Sequence, residues 1–167
     1  MTNSQAPEQP DKSESGSLAV HSQFLTIQGE GPFSGKPANF IRLAGCNLQC
    51  PGCDTEYTAT RKIMMPGDIA GAMLWPNYGH RKGKEVQLVV ITGGEPFRQN
   101  ITPLVEMLLR MDFVVQIETN GTLPPSPSFP KQATVVCSPK AGKVHESLLR
   151  FIDAYKYVIQ AGYTHPE

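Results

Sequence analysis

Apolar positions in this chain fall in short blocks separated by glycine, proline and polar residues, and the blocks alternate between two periods. Residues 38–44 (ANFIRLA) read as a strand. Residues 66–74 (PGDIAGAML) are amphipathic at helical spacing and open on a proline, which suits a helix start. Residues 86–92 (VQLVVIT) form a β-branched apolar run of the kind buried on both faces of a parallel sheet. Residues 102–110 (TPLVEMLLR) predict a helix with Thr102 as N-cap, Pro103 at the first helical position and Glu106 as capping-box partner. Residues 113–117 (FVVQI) and 133–137 (ATVVC) read as strands, 144–151 (VHESLLRF) as a helix and 154–159 (AYKYVI) as a last strand. Strands alternating with helices imply right-handed crossovers and a parallel α/β sheet. Residues 1–18 are polar, rich in Pro and Ser, and lack aromatics, so a disordered tail is expected there and a folded domain over 19–167.

Composition narrows the function classes. The 167 residues carry 15 basic and 15 acidic side chains. That balance gives no footprint for nucleic acid or an anionic membrane surface. The apolar runs are too short to cross a bilayer, and no apolar core follows Met1 as a secretory signal requires, so a cytoplasmic chain of one domain is the expectation. Trp75 and the Met64-Met65 pair read as packing residues.

Unusual groups follow the strands. Gly45-Cys46 follows the first, Gly93-Gly94-Glu95-Pro96 the second, and Glu118-Thr119-Asn120-Gly121 the third. Ser138-Pro139-Lys140 follows the fourth and Gln160 the fifth. Ligands of parallel α/β sheets and barrels bind at the carboxyl ends of the strands, so these loops converge on one candidate site. Glycine and proline alone would be ordinary loop chemistry. A Glu in the Gly-Gly turn and clustered cysteines are not.

The cysteine spacing is Cys46-x-x-x-Cys50-x-x-Cys53, with Cys137 far along the chain. Reduced thiols in a cytosolic chain read as metal or redox groups before disulfides. Zinc ribbons use paired Cys-x-x-Cys loops, whereas three thiolates on one loop suit an iron–sulfur cube with one iron left open. His21, His80, His145 and His165 form no metal-ligand spacing. A zinc site using Cys137 as fourth ligand is the rival reading; otherwise Cys137 reads as a buried strand residue.

The triplet resembles the signature of radical S-adenosylmethionine enzymes, in which three cysteines hold a [4Fe-4S] cluster and the cofactor's amino and carboxylate groups chelate the open iron. Gly93-Gly94-Glu95-Pro96 resembles that superfamily's motif for the methionine ammonium. Gln28-Gly29-Glu30-Gly31, Gly35, residues 40–46 (FIRLAGC) and Cys53-Asp54-Thr55 closely resemble the 7-carboxy-7-deazaguanine synthase family. Residues 118–122 (ETNGT) and 137–140 (CSPK) are similar to its later motifs.

The resemblance implies a partial (β/α) barrel and a lyase that contracts 6-carboxy-5,6,7,8-tetrahydropterin to 7-carboxy-7-deazaguanine with loss of ammonia, for queuosine and other 7-deazapurines. It implies Cys46, Cys50 and Cys53 as cluster ligands and Thr55 as the ligand of a Mg²⁺. Thr92, Gly93, Gly94 and Glu95 match the cofactor's amino site. Ser138 and Lys140 match a loop at its carboxylate or ribose, and Glu118 and Asn120 lie near the same cofactor. Gln28 and Glu30 match contacts to the pterin edge, Thr92 a further substrate contact, and Arg42 the contact to the substrate carboxylate. Arg42 also has its own argument: Phe40, Arg42 and Ala44 share one face of their strand, which either lines a cavity or lies exposed at a sheet edge. A flavodoxin-like electron donor and a homodimer are implied as partners, with no nucleic acid or membrane.

Two departures from the pattern stand out. Gly52 replaces the aromatic residue usual before the third cysteine, and the chain is C-terminally short of the family's last helix and strand. The rival functions are a glycyl-radical-activating enzyme, a zinc-binding interaction module and a degenerate regulatory homologue.

Overall fold

A computed structural model describes residues 3–11, 15–73 and 86–159; Leu74, Trp75, His80, Gln160 and His165 lie outside them. Seven strands are described: β1 (Leu18–Ile27), β2 (Pro37–Leu43), β3 (Lys62–Met64), β4 (Leu88–Gly93), β5 (Val114–Thr119), β6 (Thr134–Cys137) and β7 (Ile152–Tyr155). They form one open sheet in the order β3-β1-β2-β4-β5-β6-β7. From β2 to β7 all neighbours are parallel, as in a partial (β/α) barrel; β1 and β3 add an antiparallel edge. Two helices, α1 (Pro66–Met73) and α2 (Thr102–Arg110), follow β3 and β4.

The period of two in the strands separates two environments. Ile41, Leu43, Val89, Ile91, Val115, Ile117 and Val135 pack with Ile69, Leu104, Val105 and Leu108 of the helices into one apolar core. Each fully buried aliphatic side chain of this size contributes about 1.5–3 kcal/mol. The opposite face carries Phe40 and Arg42 of β2 in register with Val90 and Thr92 of β4. Gln116 of β5 pairs with Val90, so Gln116 and Glu118 join that face. One side of the sheet is thus sealed by helices; the other carries a smaller apolar cluster of Ala38, Leu88 and Val90 with Phe33 and Phe40, and beside it the polar groups of Arg42, Thr92, Gln116 and Glu118.

Several local expectations are corrected. Thr102 is not the N-cap of α2: Ile101 occupies that place, and no side chain caps it. The chain leaves the 3₁₀ turn Pro96–Arg98 with Ile101 already in the helical region, so Thr102 is inside the helix and Glu106 pairs with Arg110 at 3.9 Å. Residues Glu146–Phe151 form a 3₁₀ turn instead of an α-helix. Its three-residue period places Leu148 and Phe151 together in the core. The last strand is Ile152–Tyr155 and stops early, because its neighbour β6 ends at Cys137 opposite Tyr155.

Residues 3–11 are not a free tail. The Glu8 N–H donates to the Cys46 carbonyl at 2.7 Å, and the Asp11 N–H to the Arg98 carbonyl at 2.7 Å. Polar contacts order this segment, and composition, which measures apolar burial, could not show that. Among the described residues no helix is long and apolar enough to cross a membrane.

Candidate functional site

Cys46 follows β2 directly, and its loop runs on through Cys50 and Cys53; all three thiols are free. Gly45, at φ +81°, turns the chain out of the strand, and its N–H donates to the Tyr57 carbonyl at 3.0 Å, closing the loop at its base. Tyr57 is buried and donates its hydroxyl to the Leu48 carbonyl at 3.3 Å. Cys46 is buried, Cys50 half-buried and Cys53 exposed. Burial pushes the Cys46 thiol up to about 11, against a hydrogen bond from the Leu48 N–H. Burial raises Cys50 as well, while the Lys140 charge opposes it. Such thiols ionise readily when a metal cation replaces the proton. The Asn120 amide nitrogen lies 3.8 Å from the Cys46 sulfur and donates to Asn47 Oδ1 at 2.9 Å.

The Gly-Gly turn packs against this loop. A Cβ on Gly94 would overlap the Gly45 carbonyl, and one on Gly93 would overlap the Leu43 backbone. The Gly94 N–H donates to the Leu43 carbonyl at 3.0 Å and the Glu95 N–H to the Gly45 carbonyl at 3.1 Å. Glu95 itself points inward at 0% exposure. Its carboxylate accepts from the Thr119 hydroxyl at 2.7 Å, the Asn120 N–H at 2.7 Å and the Phe97 N–H at 3.0 Å. Burial nevertheless pushes its pKa up to about 7. The outward groups of the motif are the half-buried backbones of Gly93 and Gly94. The Glu95 side chain ties the end of β5 to the end of β4.

On the face opposite the helices, Glu118 is a polar hub. It accepts from Gln28 Nε2 at 2.8 Å, the Thr92 hydroxyl at 3.0 Å and Gln116 Nε2 at 3.2 Å. Arg42 places its guanidinium carbon 5.2 Å from the centre of the Phe24 ring. Its Nε and the Gln116 Oε1 are buried atoms without a hydrogen-bond partner. Orphaned buried polar atoms of this kind cost free energy unless a ligand satisfies them. Glu30 forms an ion pair with Lys156 at 2.5 Å. Gln116 and Lys156 were not among the residues singled out from the sequence. Gln116 had a signal, since it is the polar residue of an apolar strand two positions before Glu118; Lys156 had none.

The structure thus brings Gln28, Thr92 and Glu118 into one network and sets Asn120 beside Cys46. Ser138 stands at the same strand-end rim, its N–H donating to the Thr119 carbonyl at 2.8 Å. Lys140 is exposed, within electrostatic reach of Cys50. Thr55 turns its hydroxyl to Asp54 Oδ1 at 3.2 Å and makes no described contact with Arg42 or Glu118. Among the described residues no three His, Cys, Asp or Glu side chains converge as ligands of one ion. A tetrahedral zinc draws four donors onto one ion, whereas a cube takes one thiolate per iron. Cys137 is fully buried behind Gly121, whose added Cβ would lie 2.7 Å from its sulfur. With Cys137 set apart in the core, the donor set is the three free thiols of one loop, which suits a cluster taking one thiolate per iron.

Residues 27–120 match the profile of the 4Fe-4S single cluster domain. Over 158 residues the chain is 46% identical to a 7-carboxy-7-deazaguanine synthase of Rhodospirillum rubrum, an alignment covering 94% of this chain and 65% of that protein. It is 49% identical over 147 residues to a protein of the same name from Rickettsia prowazekii, covering 85% of this chain and 62% of the relative. The chain thus spans a little under two thirds of the length of these curated relatives. Its fold superposes on the crystal structure of QueE from Escherichia coli with a TM-score of 0.72 at 29% identity, over 84% of this chain and 71% of that one.

Proposed function

Because this chain belongs to the 4Fe-4S single cluster domain family, we propose that Cys46, Cys50 and Cys53 hold a [4Fe-4S] cluster beside an S-adenosylmethionine site, and that the protein converts 6-carboxy-5,6,7,8-tetrahydropterin to 7-carboxy-7-deazaguanine with loss of ammonia. The observation that carries this reading is one rim, at the carboxyl ends of β2, β4 and β5, holding the thiol loop, the Gly-Gly cradle and the Glu118 hub together. When bound, cluster and S-adenosylmethionine supply a one-electron reduction that generates the hydrogen-abstracting radical.

The chain's own residues bind and orient. The Gly93 and Gly94 backbones offer a close approach for the methionine amino group, and Glu95 fixes the loops on either side. Ser138 and Lys140 stand where they can meet the cofactor's carboxylate or ribose. Arg42, stacked on Phe24, presents a guanidinium fork to the pterin carboxylate. Gln28, Thr92 and Glu118 form a donor and acceptor array suited to the pyrimidine edge of a pterin. Glu30 adjoins it, its N–H donating to Gln28 Oε1 at 3.1 Å. Thr55 supplies an oxygen ligand for Mg²⁺, which prefers oxygen and keeps several waters. A soluble one-electron donor of flavodoxin type and a homodimeric assembly complete the proposal.

The test is anaerobic reconstitution with iron and sulfide, reduction, and addition of S-adenosylmethionine, Mg²⁺ and the carboxypterin. Formation of 7-carboxy-7-deazaguanine, read by mass spectrometry, is expected. A loaded cluster that cleaves S-adenosylmethionine but yields no deazaguanine would overturn the substrate, and failure to load any iron would overturn the class.

A further inference from the structure

We propose that residues 3–11 are a positioning strap that holds the cysteine loop in its ligand-accepting shape, with Gln5 and Glu8 as its holding residues; this rests on the cluster reading above. The loop needs such a device. Between the end of β2 at Leu43 and the start of β3 at Lys62 the chain has no regular element. A connection of that length is held from outside or stays mobile.

The strap touches each part of that connection. Its Glu8 N–H donates to the Cys46 carbonyl at 2.7 Å. Asn3 Nδ2 donates to the Cys50 carbonyl at 3.2 Å, and Gln49 Nε2 returns a bond to the Asn3 carbonyl at 3.0 Å. Gln5 clasps the segment after Cys53: its Nε2 donates to the Thr55 carbonyl at 2.9 Å, and its Oε1 accepts from the Tyr57 N–H at 2.9 Å. The far end is anchored beyond the Gly-Gly-Glu-Pro turn. Arg98, 5% exposed, donates through Nη1 to the Gln9 carbonyl at 3.0 Å and through Nη2 to the Ala44 carbonyl at 3.1 Å. Glu8 stands 3.4 Å from that guanidinium and also pairs with Arg61. One segment therefore joins the thiol loop to the cofactor turn and supplies the counter-charge of a buried arginine. Ligand sites lose affinity when the groups that orient their loops are removed.

The experiment compares the full chain with the full-length double variant Gln5→Ala, Glu8→Ala. Both are reconstituted anaerobically with iron and sulfide, then exposed to air while cluster absorbance is followed. Amide hydrogen exchange of the metal-free proteins is measured in parallel. Losing the Gln5 side-chain bonds and the Glu8 ion pairs is expected to speed bleaching about tenfold and to lower iron per chain at least twofold. Exchange should rise in residues 45–57 and stay unchanged in β4 and β5. Equal iron content and equal bleaching would overturn the strap, as would exchange spread through β4 and β5, which marks a general loss of fold. Absence of any cluster in the unaltered chain would instead overturn the cluster reading, and the strap's purpose with it.

Discussion

Replacing Glu95 by Gln separates the charge of this carboxyl from its shape. In the folded chain its pKa is pushed from 4.5 to about 7, chiefly by complete burial. A carboxyl raised on folding is held more tightly as the neutral acid, so the folded state binds more protons than the unfolded one. Stability is then full below pH 4.5 and declines as pH rises through about 7. The gap corresponds to about 3 kcal/mol, lost between those limits. The substitution removes that pH dependence but has its own cost. Three donors converge on the two oxygens, and an amide NH₂ faces one of them donor to donor. That mismatch costs about 1–3 kcal/mol at every pH. Urea unfolding of the metal-free, reduced proteins at pH 5 and pH 8, followed by far-UV circular dichroism, checks the difference. Glu95→Gln should be the weaker protein at pH 5, and the gap should close or invert at pH 8. A gap of the same size at both pH values would refute the argument and place an ionised carboxylate in the folded state.

Three further outcomes follow from the proposed function. Arg42→Lys keeps the charge but loses the fork, and kcat/KM for the carboxypterin should fall about 10- to 100-fold, chiefly through KM, in steady-state assays. Cys50→Ala should abolish iron loading, whereas Cys137→Ala should leave iron per chain unchanged; a protein that takes up zinc in place of iron and loses it with either substitution, by metal analysis, would restore the zinc reading. Asn120→Ala removes a donor from the Cys46 sulfur and should lower the cluster's reduction potential, measured by redox titration with electron paramagnetic resonance; an unmoved potential would show that the 3.8 Å contact carries no electrostatic weight.

The local chemistry was legible in the chain because it lies in contiguous residues. Cys46-x-x-x-Cys50-x-x-Cys53, the Gly-Gly turn and the polar groups after each buried strand needed only spacing and the period of two to be placed at one rim. The parallel pairing from β2 to β7 followed from strand and helix alternation; the order of the strands did not. The antiparallel edge did not: β1 mixes polar and apolar residues and breaks register between Val20 and Ser22, so its period is blurred.

What only the tertiary structure decided concerns partners distant in sequence. A carboxylate in a Gly-rich turn looks like a ligand, but Glu95 is turned inward because the N–H of Asn120 and the hydroxyl of Thr119, brought over by β5, meet it there. Glu118 becomes a hub only when Gln28, 90 residues away along the chain, reaches it from the end of β1. The N-terminal residues look unstructured because they carry little apolar surface, and their order comes from backbone carbonyls of a loop some 40 to 50 residues on. Composition and periodicity report what one segment can bury; they do not report which donors and acceptors folding will bring against it.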